Sequence, residues 1–187
     1  MRRNEGEPMG EASTLTERLE RHDPDSAGHA ERVTALALRI AEALRAGAVR
    51  VDAIREGGPV HDIGKLAVAP SILRKPGALA PEELEEIRTH PIRGARMLER
   101  VEAVQCGIGC VLHHHERWDG RGYPHGLAGE EIPIEARILA VADAYDAMTS
   151  DRPYRPALEH EAAVAEVERC SGTQFDPQVA RAFLALR

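Results

Sequence analysis

The chain has 187 residues, 43% hydrophobic and 29% charged, which suits one globular domain able to bury a core without disulfide staples. A net charge of −7 excludes a protein that coats a nucleic-acid polymer, because that needs a basic field; small phosphorylated ligands, which need only a few local cations, stay in play. Aromatic residues make up 3%, so Ala, Leu, Val and Ile have to fill the core, as they do in helical proteins. Three cysteines, Cys106, Cys110 and Cys170, are odd in number and lack Cys-x-x-Cys spacing, so they read as packed free thiols in a reducing compartment. The N-terminus carries no apolar signal-peptide core, and no apolar run approaches the roughly 18 residues of a membrane span, so a cytoplasmic protein without membrane contact is expected.

In chain order, residues 1–12 predict a disordered tail and residues 13–187 a single domain. Thr14 to Arg21 predicts a short helix before a turn at Pro24 and Gly28. From Ser26 onward, Val33, Leu36, Ala37, Ile40, Ala41 and Leu44 keep helical spacing until Gly47, with His29 on their side in the first turns. Val49 to Glu56 predicts a second helix, interrupted by Gly57-Gly58-Pro59 just before His61-Asp62. Leu66 to Ala80 reads as a Pro- and Gly-rich loop. Pro81-Glu82-Glu83 opens a helix that runs to His90 and stops at Pro91. Ile92 to Glu102 and Val104 to Glu116 are two more helices, the second ending in His113-His114-His115-Glu116. Trp118 to Gly126 holds three glycines and a proline, the composition of a shaped loop.

Ile134 to Thr149 is a strongly apolar helix with Asp143 and Asp146 one turn apart on one face. Acids in such a helix are costly unless paired or metal-bound, which marks Asp143 as a ligand and Asp146 as its support. Asp151 to Pro156 is a loop carrying Arg152, Tyr154 and Arg155. Glu159–Arg169 and Asp176–Arg187 close the chain as helices, the last capped by Asp176 with Pro177 following. No strand alternation, repeat or low-complexity run appears. The fold class is all-α.

Six of the nine histidines fall at His29, His61, His90 and His113 to His115. Any one of them alone reads best as a hydrogen-bonded structural histidine, but packing has no need for so many imidazoles. Together with Asp62 and Asp143 they point to a metal cluster. His61 and Asp62 diverge by roughly 100° on a helix, so the pair either straddles one metal or lets the carboxylate bridge two. Lys65 adds a cation of phosphate-binding type. Taken singly, Arg152 and Arg155 also fit a solvated loop, and Trp118, Tyr123 and Tyr154 fit either base stacking or loop bracing.

Three strings, HDIGK at 61–65, HHERWDGRGYP at 114–124 and VADAYDAMTSDRPYR at 141–155, resemble the HD-GYP subgroup of the HD-domain phosphohydrolases. The resemblance runs from about Asp25 to the C-terminus with the motifs in family order. It implies a single helical bundle around a buried di- or trinuclear centre holding two or three divalent ions, iron or alternatively manganese. The implied activity is hydrolysis of cyclic di-GMP to pGpG or GMP by a metal-bridging hydroxide. The ligands it implies are His29, His61, Asp62 as the bridging carboxylate, His90, His114, His115 and Asp143. Asp25 stands where trinuclear members carry a Glu and offers a ligand for a third ion.

By the same resemblance, Asp62 and Lys65 are catalytic, and Lys65, Arg152, Arg155, Tyr123 and Pro124 contact the substrate. The loop bearing Gly122-Tyr123-Pro124 offers a surface to a diguanylate cyclase. His113 is assigned a supporting or structural place, and His125 stands where an acid is common. Gly57-Gly58-Pro59-Val60 replaces an expected apolar helical run and is expected to shift the backbone before His61. No receiver or sensory domain is expected ahead of the motifs. The alternatives are a catalytically weak cyclic-dinucleotide sensor, a cyclase-interacting module, or a phosphohydrolase of another nucleotide; the full set of matched ligands favours the enzyme.

Overall fold

The computed structural model describes residues 9–26, 28–151 and 156–186, with side chains from Thr14 onward except at Asp25. Among these residues the chain is helical and has no strand beyond one isolated bridge between Ser171 and Phe175. The helices are α1 (Met9–His22), α2 (His29–Ala43), α3 (Ala48–Gly57), α4 (Pro70–Leu73), α5 (Pro81–Arg88), α6 (His90–Leu98), α7 (Ile108–His113), α8 (Ile134–Thr149), α9 (His160–Arg169) and α10 (Pro177–Leu184). Short 3-10 turns at Pro24–Ser26, Gly58–Val60, Ile63–Ala67, Glu102–Val104 and Gly129–Glu131 complete the connections. No helix among the described residues is long and apolar enough to cross a membrane.

The spacing that predicts α2 and α8 also decides how they pack. Val33, Ala37, Ile40 and Ala41 of α2 meet Ile138, Leu139, Val141 and Ala142 of α8, and Val164, Val167, Val179 and Phe183 of α9 and α10 close over them. Each fully buried Val, Leu or Ile contributes about 1.5–3 kcal/mol, so the many aliphatic side chains make up for the scarce aromatics. A smaller cluster of Leu19, Val60, Ile63, Leu98, Val104 and Val111 ties α1, α6 and α7 to the segment around His61-Asp62. Val60 and Ile63 flank that pair, and burying both fixes its place in the chain. At α10 the expected cap is present: Gln178 N donates to Asp176 Oδ1 at 2.7 Å, while Arg137 Nη1 reaches Oδ2 at 2.6 Å.

Several elements differ from the sequence expectation. α1 begins at Met9, inside the stretch expected as tail. Pro91 does not stop a helix; it sits in the first turn of α6, where its missing N–H has no partner to lose. The loop 66–80 contains the single turn of α4, and the helix expected over 104–116 shrinks to α7 after a 3-10 turn. Most of the loop 151–156, with Arg152, Tyr154 and Arg155, lies outside the described residues.

As expected, α3 ends at Gly57, but the chain continues through Gly58–Val60 as a 3-10 turn rather than breaking into a loop. Gly57 and Gly58 keep right-handed helical angles, and His61 follows at φ −56°, ψ −34°. The glycines are there because neighbours crowd them. A Cβ on Gly57 would sit 2.3 Å from the carbonyl oxygen of Gly107, and one on Gly58 would sit 2.5 Å from Thr34 Oγ1. Gly64 is tighter still, since its Cβ would meet His90 O at 1.9 Å and Gly94 N at 2.6 Å. Glycines thus let α2, α6 and the start of α7 approach the His61-Asp62 segment.

Gly57→Ala should therefore cost about 1–3 kcal/mol through backbone displacement, lowering Tm by roughly 2–12 °C for a chain of this size. A thermal melt decides it: an unchanged Tm would mean that α3 and α7 separate freely and that the contact does not organise the segment.

Candidate metal centre

Two groups of donors meet inside the bundle. Asp62, His90, His114 and His115 form one, and His29, His61 and Asp143 the other, with the donor atoms of each group within 4.8 Å of one another. All seven histidine and aspartate ligands read from the sequence are thereby brought together. They arrive from separate elements: His29 opens α2, His61 and Asp62 lie between two 3-10 turns, His90 opens α6, His114 and His115 follow α7, and Asp143 projects from the middle of α8.

Asp62 joins the groups. Its Oδ1 lies 3.2 Å from His90 Nε2 and 3.8 Å from His114 Nε2. Its Oδ2 lies 3.6 Å from His61 Nε2 and accepts from Lys65 Nζ at 2.6 Å. In the second group His29 Nε2 is 3.2 Å from Asp143 Oδ1. His61, His90 and His114 are 1–2% exposed, so water cannot compensate their polar atoms.

The outward nitrogens of four of the rings are engaged. His61 Nδ1 meets Gly58 O at 2.8 Å, His90 Nδ1 meets Ile87 O at 2.7 Å, and His114 Nδ1 meets Val111 O at 3.0 Å. His29 Nδ1 meets Asp146 Oδ2 at 2.7 Å, and Arg32 donates to both oxygens of that carboxylate at 2.6 and 3.0 Å. A carbonyl can only accept, so the His61, His90 and His114 rings carry their proton on Nδ1 and turn a lone pair inward at Nε2. His90 Nε2 and His114 Nε2 then face each other at 3.3 Å. Two lone pairs at that distance repel unless a cation lies between them. The donor set fits divalent metal.

The charges agree. Burial works against the ionised form of Asp62, but Lys65, His61 and His90 outweigh it and hold the carboxyl well below the usual carboxylate range. Asp143 is likewise depressed against the opposing effect of burial, mainly by His29, and Asp146 falls to about 2 through His29 and Arg32. Burial lowers His29, yet Asp143 and Asp146 push it up to about 9. The imidazolium so formed stands in for positive charge that an ion would bring. Burial and the neighbouring rings lower His114 and take His115 down to about 4, leaving them as neutral donors.

Other predicted residues fall around this cluster. Lys65 is held by Asp62 and lies 3.9 Å from Asp23 Oδ2, a buried acid that the sequence reading passed over. Tyr123 stacks on His115 with centroids 4.8 Å apart and planes at 29°, and the Arg88 guanidinium carbon lies over the Tyr123 ring, 5.6 Å from its centroid. Pro124 follows Tyr123 and is half-buried. Tyr123, His115 and Asp143 line a cleft of about 220 Å³, with Arg88, Arg117 and Arg121 on its walls. The side chain of Asp25, and Arg152 and Arg155, lie outside the described residues. Arg32, three residues after His29, was also missed, although that spacing puts it on the same helical face.

A helical bundle that converges buried imidazoles and carboxylates in this way has the HD-type arrangement, with donors that could hold divalent metal. The chain belongs to the HD-domain family, and within it to the HD-GYP subgroup; the family model described as HD domain matches residues 13–179. It is 46% identical over 169 residues to a cyclic di-GMP phosphodiesterase of Thermotoga maritima, covering 89% of this chain and 46% of that protein. It is 41% identical over 174 residues to a cyclic di-GMP phosphodiesterase response regulator of Xanthomonas campestris, covering 92% of this chain and 46% of the relative. The chain thus spans about half the length of these relatives. Among solved structures, a cyclic GMP-AMP specific phosphodiesterase of Vibrio cholerae shares the fold, with a TM-score of 0.71 at 18% identity over 92% of this chain and 46% of that one.

Asp146→Ala removes the acceptor that fixes the His29 ring, and metal affinity should fall about 10–100-fold with helicity unchanged. Equilibrium dialysis against manganese, read beside far-ultraviolet circular dichroism, tests this. Wild-type affinity in the variant would show that His29 is oriented by packing alone.

Proposed function

We propose that the chain hydrolyses the phosphodiester bonds of cyclic di-GMP, giving pGpG or, after a second cut, GMP. The observation that carries this reading is one buried carboxylate, Asp62, facing two donor groups at once in a chain 46% identical to a protein named for that activity. His90, His114 and His115 with one oxygen of Asp62 would hold one ion, and His29, His61 and Asp143 with the other oxygen a second. Two divalent ions so placed supply an activated water and offset the charge of the reacting phosphodiester. All these donors are nitrogen or oxygen and the three cysteines lie elsewhere, which favours iron or manganese over structural zinc. A third ion at Asp25 rests on sequence position alone.

The protein's own groups divide the remaining work. The Nδ1 contacts hold each imidazole in place, so its Nε2 needs no reorientation to bind. Lys65, shared between Asp62 and Asp23, is the cation assigned to the substrate phosphate, and Arg152 and Arg155 are assigned the same task from the sequence. Tyr123 gives the cleft an aromatic wall against which a guanine can stack, with Pro124 behind it. The exposed rim of the loop at Arg121, His125 and Gly126 is the surface this reading offers a diguanylate cyclase. Free thiols support a reducing, cytoplasmic setting. The working domain is assigned to residues 13–187.

Protein purified without oxygen and reloaded with iron or manganese should convert cyclic di-GMP to linear product at two or more ions per chain. His61→Ala and Asp62→Ala should lose both bound metal and turnover. Full loading without any hydrolysis would overturn the enzyme reading in favour of a cyclic-dinucleotide sensor, and unchanged turnover in Asp62→Ala would overturn the ligand assignment.

A further inference from the structure

A third group of donors lies outside the centre described above. His113, Glu116 and His125 place one donor atom each within 4.8 Å of the others. His113 ends α7 and points away from His114, so it takes no part in the main cluster. Its Nδ1 is buried and has no hydrogen-bond partner, the one such side-chain atom among the described residues. The Glu116 carboxylate is also buried, 3.8 Å from that nitrogen. Among the described residues no Lys or Arg forms an ion pair with it.

Glu116 does have partners of another kind. His125 N donates to its Oε1 at 2.8 Å and Leu127 N to its Oε2 at 3.1 Å. These bonds orient the carboxylate but leave two of its roughly four lone-pair sites free and its charge unopposed. A buried carboxylate beside neutral neighbours and an orphaned imidazole nitrogen is costly. The His125 ring stands 5.4 Å from that of His113, on an exposed part of the loop. A single cation would answer all three needs.

We propose that His113, Glu116 and His125 form a separate divalent-metal site of the zinc class, which clamps the loop bearing Gly122-Tyr123-Pro124 to the end of α7. Two imidazoles and a carboxylate are a zinc ligand set, with water in the fourth position. Zinc–nitrogen bonds of about 2.0–2.1 Å put tetrahedral donors roughly 3.4 Å apart, so the donors must draw in. His125 is the member free to do so, because its side chain is exposed and rotates without disturbing the core. The ion closes a ring through residues 117 to 124, and that ring carries Tyr123 against His115. The site stands on its own donors and does not depend on the substrate proposed above.

The chain has a single tryptophan, Trp118, inside the clamped loop, which provides a local reporter. The metal-stripped 187-residue chain is titrated with zinc while Trp118 emission is followed, and bound zinc is counted after dialysis. The expected result is an emission change in wild type that is absent in His125→Leu, which also holds one zinc fewer per chain. His113→Gln should behave like His125→Leu, and His29→Ala, altered only in the main cluster, should keep the response. Equal zinc content and equal emission change in wild type and His125→Leu overturn the proposal. So does loss of the response in His29→Ala, because the signal would then belong to the main centre.

Discussion

A carboxylate in the interior has to be paid for by positive charge or by hydrogen bonds, and Asp62 is the carboxylate around which this protein is arranged. It is 5% exposed, and each of its oxygens faces a different set of nitrogen donors. Lys65 reaches it from one helical turn away at 2.6 Å, too close to serve as a loose surface pair. The backbone then fixes the acid. Val60 and Ile63 are buried on either side, and Gly64 lets His90 and Gly94 come within backbone contact of the turn. Small changes at Gly64 would move the acid and the His90 ring together.

The imidazoles follow a local rule that becomes visible only in three dimensions. His61, His90 and His114 each set Nδ1 against a carbonyl three residues earlier, those of Gly58, Ile87 and Val111. A helical turn just before a histidine therefore selects the tautomer that presents Nε2 to the interior. His29 cannot use this device. It opens α2 directly after Gly28, whose φ of 67° turns the chain out of helical geometry. Asp146 of α8 supplies the missing acceptor, and Arg32 holds Asp146. That long-range support explains why α8 carries a second acid in an otherwise apolar stretch.

This division also explains what the sequence disclosed. The helical class and the bounds of α8 were legible because apolar residues recur at helical spacing, and the donors were legible because histidines and acids stood in short strings. Their partition into two groups was not, since it depends on which end of Asp62 faces which helix. Gly57-Gly58-Pro59 ends α3 as local propensity favours, but the crowding by Gly107 and Thr34 that requires the two glycines was invisible along the chain. Pro91 misled because a proline that ends one helix and one that begins the next look alike along the chain. The buried Glu116 gave no hint of its loop contacts, which link it to residues 125 and 127.

A chain of net charge −7 can still draw an anion to its centre, because what counts is the field at the entrance. The cleft beside His115 and Asp143 is walled by Arg88, Arg117 and Arg121. Arg117 is committed to Asp119 through bonds of 3.0 and 2.7 Å and to Gln174, so its charge is largely answered. Arg88 pairs with Glu85, but in an exposed contact of the kind that contributes little. Arg121 has no ion pair among the described residues and sits on the rim of the loop. Arg88 and Arg121 are thus the least committed cations of the cleft wall.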